Sequence, residues 1–325
     1  MTRQLDSGII FRQQTSLKGV GYMEEKKALL ERIRELKKQR NAVILAHNYQ
    51  TGEIQDIADF VGDSFELSRI ASQSAADVIV FCGVTFMAET AAILAPDKVV
   101  LLPEISAGCP LADMVTAKAL QEKKARHKGA AVVAYINSPA EVKAQSDICV
   151  TSSNALRVVD SLDAEEILFV PDMNLGSFVA GQTKKKIILW DGYCPTHHHV
   201  TLQDLLAARE AHSDAVVMVH PECRPEVVKA ADYVFSTGGM IKFARDTSFK
   251  KIIVGTETGL LHRLEKENPE KQFFALSRRL FCPNMKLTTL EKVHRALETM
   301  EPRITVPLPV RELARKPLER MLAVA

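Results

Sequence analysis

Short runs of valine, isoleucine, leucine and alanine recur along this 325-residue chain, and amphipathic segments lie between them. Continuous apolar runs that alternate with helical patterns are typical of parallel strands buried on both faces. The principal strands are predicted at residues 42–47, 77–83, 98–104, 131–136, 166–171, 186–191, 215–220, 251–256 and 272–277. Shorter strands are predicted at 147–153 and 233–237. The pattern therefore indicates an α/β protein with parallel sheets.

The pattern repeats three times with a period of roughly 85 residues. His47, Tyr135 and His220 each end an apolar run, and they lie 88 and 85 residues apart. Seventeen residues after each of them stands a side chain with a hydroxyl group: Ser64, Ser152 and Thr237. The chain is therefore an internal threefold repeat.

Each repeat is predicted to run strand, helix, strand, helix, strand, loop and helix. We expect three homologous three-layer αβα lobes with parallel sheets, arranged with pseudo-threefold symmetry around a central cavity. The predicted segments are an N-terminal extension at 1–23, lobes at 24–128, 129–212 and 213–300, and a C-terminal tail at 301–325. A single closed (β/α) barrel is the alternative architecture.

Two helix starts carry the signature of a capping box. Thr201 with Asp204, and Thr288 with Glu291, have the spacing in which two side chains satisfy each other's backbone N–H groups. Each pair follows a loop of the repeat, so we predict that a helix begins there.

Composition narrows the functional class. The formal net charge is only +2, which does not give the basic surface expected for nucleic-acid binding. No apolar stretch reaches the length of a membrane span, and the polar N-terminus lacks a signal-peptide core. We therefore expect a cytoplasmic protein without nucleic-acid or membrane partners, whose six cysteines remain thiols in a reducing compartment.

Three of the cysteines precede proline and keep the same period. Cys109, Cys194 and Cys282 lie 85 and 88 residues apart. The following proline stiffens each loop, which sets the direction of the thiolate. All-thiolate ligation favours zinc or an iron–sulfur cluster, and a closed zinc site usually has a Cys-x-x-Cys pair that this sequence lacks. The three cysteines are therefore predicted to bind a [4Fe–4S] cluster with one iron open to substrate.

The ends of the first strand in each repeat carry candidate acid–base groups. Glu222 is a candidate general base, and Tyr49 or Tyr135 is a candidate proton donor. Three residues with hydroxyl groups are predicted to lie at helix N-termini, where free N–H groups bind carboxylates or phosphates: Ser64, Ser152 and Thr237. Ordinary N-capping is the alternative interpretation, and both can hold together.

The remaining cysteines and a run of three histidines are weaker candidates. Cys82 and Cys149 lie in apolar strands and are predicted to be core residues. Cys223 is expected near the site without binding metal. Within residues 197–199, His197 lies three positions after a Cys-Pro cysteine and is predicted to face the site.

These residues stand in segments that resemble the quinolinate synthase family, the iron–sulfur enzymes of de novo NAD (pyridine nucleotide) biosynthesis. The resemblance extends in order over about residues 24–300. The segments are HNYQ at 47–50, IADFVGDS at 57–64, FMAETAAIL at 86–94, GCPLADM at 108–114, YIN at 135–137, TSSNA at 151–155, PDMNLG at 171–176, WDGYCPTH at 190–197, HPE at 220–222 and CPNMK at 282–286.

The resemblance implies that a [4Fe–4S] cluster lies where three lobes meet, with Cys109, Cys194 and Cys282 as its ligands. It also implies the condensation of iminoaspartate with dihydroxyacetone phosphate to give quinolinate, phosphate and two waters. A functional link to the enzyme that supplies iminoaspartate is then expected. The substrate site carried over by position is His47, Tyr49, Ser64, Tyr135, Asn137, Ser152, His197, His220, Glu222 and Thr237.

The chemistry of the residues agrees with this implication. An open iron acts as a Lewis acid that makes water a better leaving group. Four residues are predicted to be catalytic: Tyr49, Tyr135, His220 and Glu222. Two other hypotheses remain at this point: a different cluster-dependent hydro-lyase, and a non-enzymatic scaffold with a structural metal.

Overall fold

Three open, four-stranded sheets form the framework of the computed structural model, which describes residues 7–324. The strands of the first sheet are β1 (Ala42–His47), β2 (Phe60–Gly62), β3 (Val78–Cys82) and β4 (Val99–Leu101). Those of the second are β5 (Ala131–Tyr135), β6 (Ile148–Val150), β7 (Glu166–Val170) and β8 (Lys186–Leu189). Those of the third are β9 (Val216–Val219), β10 (Tyr233–Val234), β11 (Lys251–Gly255) and β12 (Gln272–Ala275).

All strand pairs within the sheets are parallel, and each sheet has the order second, first, third, fourth. The predicted α/β class with three parallel-sheet lobes is confirmed. The alternative of one closed barrel is wrong, because the described strands divide into three separate open sheets. The sequence analysis missed β2, a three-residue edge strand whose Phe60 is exposed.

Helices connect the strands and cover the sheets. They are α1 (Ser7–Gln39), α2 (Gly52–Ile57), α3 (Ser64–Gln73), α4 (Thr85–Leu94), α5 (Ala117–Arg126), α6 (Ala140–Lys143), α7 (Ala155–Asp160), α8 (Met173–Ala180), α9 (Pro195–His198), α10 (Leu202–Ala211), α11 (Pro225–Ala230), α12 (Thr237–Asp246), α13 (Leu260–Glu267), α14 (Leu290–Thr299) and α15 (Leu308–Ala323). Among residues 7–324, no helix is long and apolar enough to cross a membrane.

Successive side chains of each strand enter different layers of the core. In β1, Val43 and Leu45 pack in one apolar cluster, whereas Ile44 and Ala46 pack in another on the opposite face. The third sheet repeats this division, with Val217 and Met218 in separate clusters. Burial on both faces explains why these strands have continuous apolar sequences.

The helix after each Cys-Pro loop packs on the neighbouring sheet. Helix α5 contacts α6 of the second sheet, and α10 contacts α11 of the third. Helix α14 contacts α1 and β3, and its Val293 and Leu297 share a core cluster with Ile44 of the first sheet. The three lobes are therefore interlocked, and the lobe boundaries at 128/129, 212/213 and 300/301 stay predictions.

Three aspartates at equivalent positions of the repeat each accept a hydrogen bond from a strand near its amino end. Asp59 accepts a hydrogen bond from Ile44 N at 2.8 Å. Two other pairs repeat this contact at 2.7 Å: Asp147 with Val132 N, and Asp232 with Val217 N. These buried backbone donors are satisfied far from the carboxyl ends of the strands, where function is expected.

Both terminal segments contain helix. Residues 1–6 of the predicted extension lie outside the described part of the chain, and from Ser7 the backbone is helical without a break through Gln39. In the predicted tail, Arg303 forms an antiparallel bridge with Leu101 at the edge of the first sheet. Helix α15 then packs against α4, α6 and β6, so it lies between the first and second lobes.

One predicted capping box is confirmed and the other is wrong by one position. Thr201 and Asp204 form the reciprocal bonds at the start of α10. At α14 the cap is Thr289, which accepts from Lys292 N. The Oγ1 atom of Thr288 is buried and has no hydrogen-bond partner among residues 7–324, so Thr288 does not serve as the cap.

Replacement of Leu318 by alanine tests the packing of α15. Leu318 is fully buried, so Leu318→Ala is expected to lower the free energy of unfolding by about 2–5 kcal/mol. The matched control is Leu313→Ala in the same helix, where the side chain is 62% exposed and a change within about 0.5 kcal/mol is expected. Urea denaturation measures both, and equal effects would contradict the packing.

Candidate active site

One cavity of about 190 Å³ lies where the carboxyl ends of the three sheets meet. Its walls come from the ends of β1, β5 and β9, the starts of α3 and α12, and the three Cys-Pro loops. All the residues predicted for the site line it: His47, Tyr49, Ser64, Cys109, Tyr135, Asn137, Ser152, Cys194, His197, His220, Glu222, Thr237 and Cys282. Side chains from equivalent positions of the three repeats therefore lie around one cavity.

Cys109, Cys194 and Cys282 reach this cavity from three chain segments, and none of them is in a disulfide. Burial, with a smaller contribution from the nearby Cys282, raises the pKa of Cys109 to about 12. Burial likewise raises the pKa of Cys194 and of Cys282. A metal centre stabilises such buried thiols as thiolates, so the three sulfurs are a donor set that fits a soft metal or a cluster.

Cys194 also belongs to a compact group with His197 and Glu222. One ligand-type atom from each of the three lies within 4.8 Å of the others. His197 Nδ1 is 2.7 Å from Glu222 Oε2 and 3.3 Å from Cys194 Sγ. The group has the composition of a metal site, and its short contact is also suited to an acid–base pair.

Glu222 is a buried carboxylic residue of the cavity wall, with 3% of its surface exposed. Burial opposes its ionisation, but the neighbouring His197 and His220 and the Tyr135 hydroxyl outweigh burial and lower its pKa to about 2. Its carboxylate is therefore ionised at neutral pH. The Nδ1 atom of His197 then donates to Glu222.

A chain of hydrogen bonds connects Glu222 with Tyr49. His197 Nε2 lies 2.9 Å from Thr256 Oγ1, and Thr256 Oγ1 lies 2.7 Å from the Tyr49 hydroxyl. Together with the contact between His197 and Glu222, these bonds join a carboxylate, an imidazole and two hydroxyls. A proton can therefore pass between Tyr49 and Glu222 without leaving the site.

The two tyrosines are suited to proton donation. Burial, reinforced by the charge of Glu222, raises the pKa of Tyr49 and that of Tyr135 well above the usual range. Both phenols therefore keep their protons at neutral pH, and they can donate hydrogen bonds to a bound oxygen atom.

His47 and His220 are held in the neutral form. Burial lowers the pKa of His47 to about 3, with a further contribution from the charge of Lys286. Burial also lowers the pKa of His220 to about 3. The Nε2 atom of His220 lies 3.2 Å from Ser152 Oγ, and this contact joins the third lobe to the second.

Ser64 and Thr237 are the first residues of α3 and α12, but neither caps its helix. Asp63 and Ser236 are the caps. The interpretation of Ser64 and Thr237 as ordinary N-caps is therefore wrong, and both residues line the cavity instead. Thr237 Oγ1 accepts a hydrogen bond from Asn48 Nδ2 at 3.1 Å, which joins the first lobe to the third.

Asp63 brings α3 and α12 into close contact. Besides capping α3, it accepts a hydrogen bond from the Gly238 backbone N–H. A Cβ atom at Gly238 would lie 2.9 Å from Asp63 Oδ2, so glycine is needed for this approach. Burial, together with the neighbouring Glu66, raises the pKa of Asp63 to about 6.

Asn137 offers an unused acceptor. Its Oδ1 is buried in the cavity wall and has no hydrogen-bond partner among residues 7–324. A buried polar atom without a partner is costly, and a bound ligand with an N–H or O–H group would satisfy it.

Several polar residues of the site were missed by the sequence analysis: Asp63, Asp172, Thr256, Glu257 and Lys286. One signal was available. Asp172 and Glu257 each stand two residues after the end of a central strand and lie 85 residues apart, the interval that also separates Tyr135 from His220.

Apart from His197, the weaker candidates lie outside the cavity wall. Cys82, Cys149 and Cys223 are fully buried, and the Cys223 thiol donates to Gly255 O over 3.6 Å. His198 stacks on Tyr193 instead of lining the cavity.

Comparisons with known proteins agree with this geometry. The model of a family described as quinolinate synthetase A protein matches residues 31–323. The quinolinate synthase of Methanosarcina barkeri is 55% identical over 296 residues, which cover 91% of this chain and 97% of that protein. Those of Dehalococcoides mccartyi strain CBDB1 and Methanoregula boonei are 56% and 54% identical and cover 90% and 93% of this chain, and 97% and 100% of their own lengths.

The neutral histidines predict a pH dependence of stability. A buried histidine with a folded pKa of about 3 binds a proton in the unfolded chain near pH 6.5 but not in the folded one. Stability is therefore complete above pH 6.5 and is lost as the pH falls toward 3, by up to about 1.4 kcal/mol per pH unit and histidine.

His47→Gln is expected to reduce this slope between pH 6 and pH 4.5 by about 1 kcal/mol per pH unit in the metal-free protein. Urea denaturation at several pH values measures the slope. His199→Gln, which removes an exposed ring, is the control. An unchanged slope in the His47 variant would show that His47 is charged in the folded protein.

Proposed function

Because this chain belongs to the quinolinate synthetase A family, we propose that it condenses iminoaspartate with dihydroxyacetone phosphate to give quinolinate, phosphate and two waters. The observation that carries the proposal is the cavity itself. Three cysteines with free thiols and ten polar side chains, nine of them in the register of the repeat, line one space. The proposed place of the reaction is NAD biosynthesis in the cytoplasm, next to an enzyme that supplies iminoaspartate.

The cofactor that we propose is a [4Fe–4S] cluster held by Cys109, Cys194 and Cys282. The donor set supports it, because three thiols without disulfide partners face the same cavity from stiff Cys-Pro loops. When bound, the cluster supplies a Lewis-acidic iron that polarises an oxygen of the substrate. With Cys109, Cys194 and Cys282 as its ligands, such a cluster would have one iron without a cysteine ligand.

The hydrogen-bonded series from Glu222 to Tyr49 is assigned to carry the proton transfers of the proposed reaction. Condensation and two dehydrations require protons to be taken from carbon and given to departing oxygen atoms. A carboxylate with a pKa of about 2 is a weak base by itself. We therefore assign base function to the His197–Glu222 pair, in which the carboxylate orients the imidazole and stabilises its charge.

Tyr49 and Tyr135 are assigned as donors, because burial keeps both phenols protonated. His220, neutral and bonded to Ser152, is assigned to hold a substrate oxygen or nitrogen by hydrogen bonding. His47 contributes a second neutral ring beside Tyr49, with ring centroids 4.5 Å apart.

Substrate anions are assigned to the helix entrances. The hydroxyls of Ser64, Ser152 and Thr237 line the cavity, and the first backbone N–H groups of α3 and α12 lie beside two of them. Asn137, with its unused Oδ1, is assigned to a donor group of the substrate. Two small substrates with carboxylate and phosphate groups match this lining.

The direct test is anaerobic turnover. After iron and sulfide reconstitution, the protein is expected to convert iminoaspartate and dihydroxyacetone phosphate to quinolinate, measured by chromatography. Cys194→Ala is expected to lose most iron and sulfide as well as turnover. A reconstituted protein with an intact cluster and no quinolinate would contradict the reaction. One bound metal ion without sulfide would instead identify a site at Cys194, His197 and Glu222.

The proton chain is tested separately from the cofactor. Glu222→Gln and Tyr49→Phe keep the side-chain volumes and are expected to lower kcat by about 10²-fold or more, while the cluster absorbance is unchanged. Tyr233→Phe is the matched control, since Tyr233 packs in an aromatic group with Phe235 and Phe243 outside the cavity. Parental rates in both site variants would remove them from the mechanism.

A further inference from the structure

We infer that Asp172 and Glu257 are positioning residues that hold two of the three Cys-Pro loops in place for the metal centre, whereas the first loop has no such carboxylate. The inference rests on the proposed binding of a cluster by Cys109, Cys194 and Cys282. Neither Asp172 nor Glu257 is among the residues that the sequence predicts for the site. Both carboxyl groups are fully buried.

Asp172 joins the end of β7 to the second Cys-Pro loop. Its Oδ2 accepts a hydrogen bond from Cys194 N at 3.2 Å, and its Oδ1 accepts one from Leu175 N at 2.8 Å. One oxygen thus caps α8, and the other fixes the backbone of the cysteine. A rigid helix start therefore determines where Cys194 stands.

Glu257 makes the same pair of contacts in the third lobe. Its Oε1 accepts from Cys282 N at 3.1 Å, and its Oε2 accepts from Gly259 N at 2.7 Å. Lys286 pairs with the same Oε2 at 2.9 Å and donates to Tyr49 O, so the charge of Glu257 is matched. A Cβ atom at Gly259 would lie 2.7 Å from the Tyr49 carbonyl, so this turn fits tightly.

All three Cys-Pro loops share one backbone hydrogen bond, and Asp172 and Glu257 add side-chain hydrogen bonds to it in two of the lobes. In each lobe the third residue after the end of a central strand donates an N–H···O bond to the Cys-Pro loop. The pairs are Thr85 N with Ala107 O at 2.9 Å, Met173 N with Gly192 O at 2.7 Å, and Thr258 N with Leu280 O at 2.8 Å. The cysteine follows two residues later in every case.

The first loop departs from this design at one position. Val84 stands where the other lobes have Asp172 and Glu257, at the same intervals of 88 and 85 residues. The Thr85 hydroxyl gives the loop a second bond to Ala107 O at 3.1 Å, and Glu104 accepts a bond from Ser106 N at 2.9 Å, but Cys109 N forms no hydrogen bond among residues 7–324. The three ligands are therefore held unequally.

A purely structural role for the two acids makes a different prediction from a positioning role. Partners of metal ligands that lie outside the first coordination sphere typically change metal affinity by about 10–100-fold when removed. Loss of a helix cap lowers stability without changing how tightly the folded protein holds iron. Iron retention in the folded protein therefore distinguishes the two.

The experiment measures the release of iron and sulfide to a chelator from anaerobically reconstituted, full-length protein. Asp172→Ala and Glu257→Ala are expected to release iron at least about 10-fold faster than the parent. Asp172→Asn and Glu257→Gln keep the volume but turn an NH₂ group toward one of the two N–H donors, so intermediate rates are expected. These two variants serve as the measurement if the alanine variants do not fold.

Asp147→Ala is the matched control, because Asp147 accepts a bond from Val132 N at the opposite end of the second sheet. It is expected to lower stability and to leave iron release per folded molecule at the parental rate. Parental release from both Asp172 and Glu257 variants would overturn the inference. If Cys194→Ala also kept its iron and sulfide, the proposed cluster site itself would fail, so the two failures are distinguishable.

Discussion

Parallel strands place all their carboxyl ends on one edge of a sheet, and in this protein three such edges face each other across a small cavity. Polar groups crowd a region with little access to water, and each of them needs a partner. Many of those partners come from another lobe. Tyr49 bonds to Thr256, and His220 bonds to Ser152. These hydrogen bonds within the site therefore also join the lobes.

The internal repeat made much of this predictable. Residues at equivalent positions of the repeat occupy equivalent places in the three lobes. The sequence therefore predicts which groups line the cavity: the ends of β1, β5 and β9, the three cysteines and the three hydroxyl residues. Thr256 lay outside the prediction because its importance depends on a bond to His197, 59 residues away, which no local pattern reveals.

Other differences have local causes. Strand β2 is short and exposed at Phe60, so it has no apolar run to detect. Thr288 and Thr289 are both plausible caps in sequence, but only the Thr289 side chain accepts a hydrogen bond from a backbone N–H group at the start of α14. Periodicity also gives no information about which sheet a helix covers, so the packing of α5, α10 and α14 on neighbouring sheets was not foreseen.

That packing has a consequence for synthesis on the ribosome. The first sheet is complete at Leu101, but part of the apolar layer that packs with Ile44 comes from α14, which ends at Thr299. A growing chain must therefore carry an incomplete first lobe until nearly all of its length has been made. The third lobe, which is synthesised last, thus completes the core of the first lobe. Exposed apolar surface of the first lobe would need protection until α14 has been synthesised.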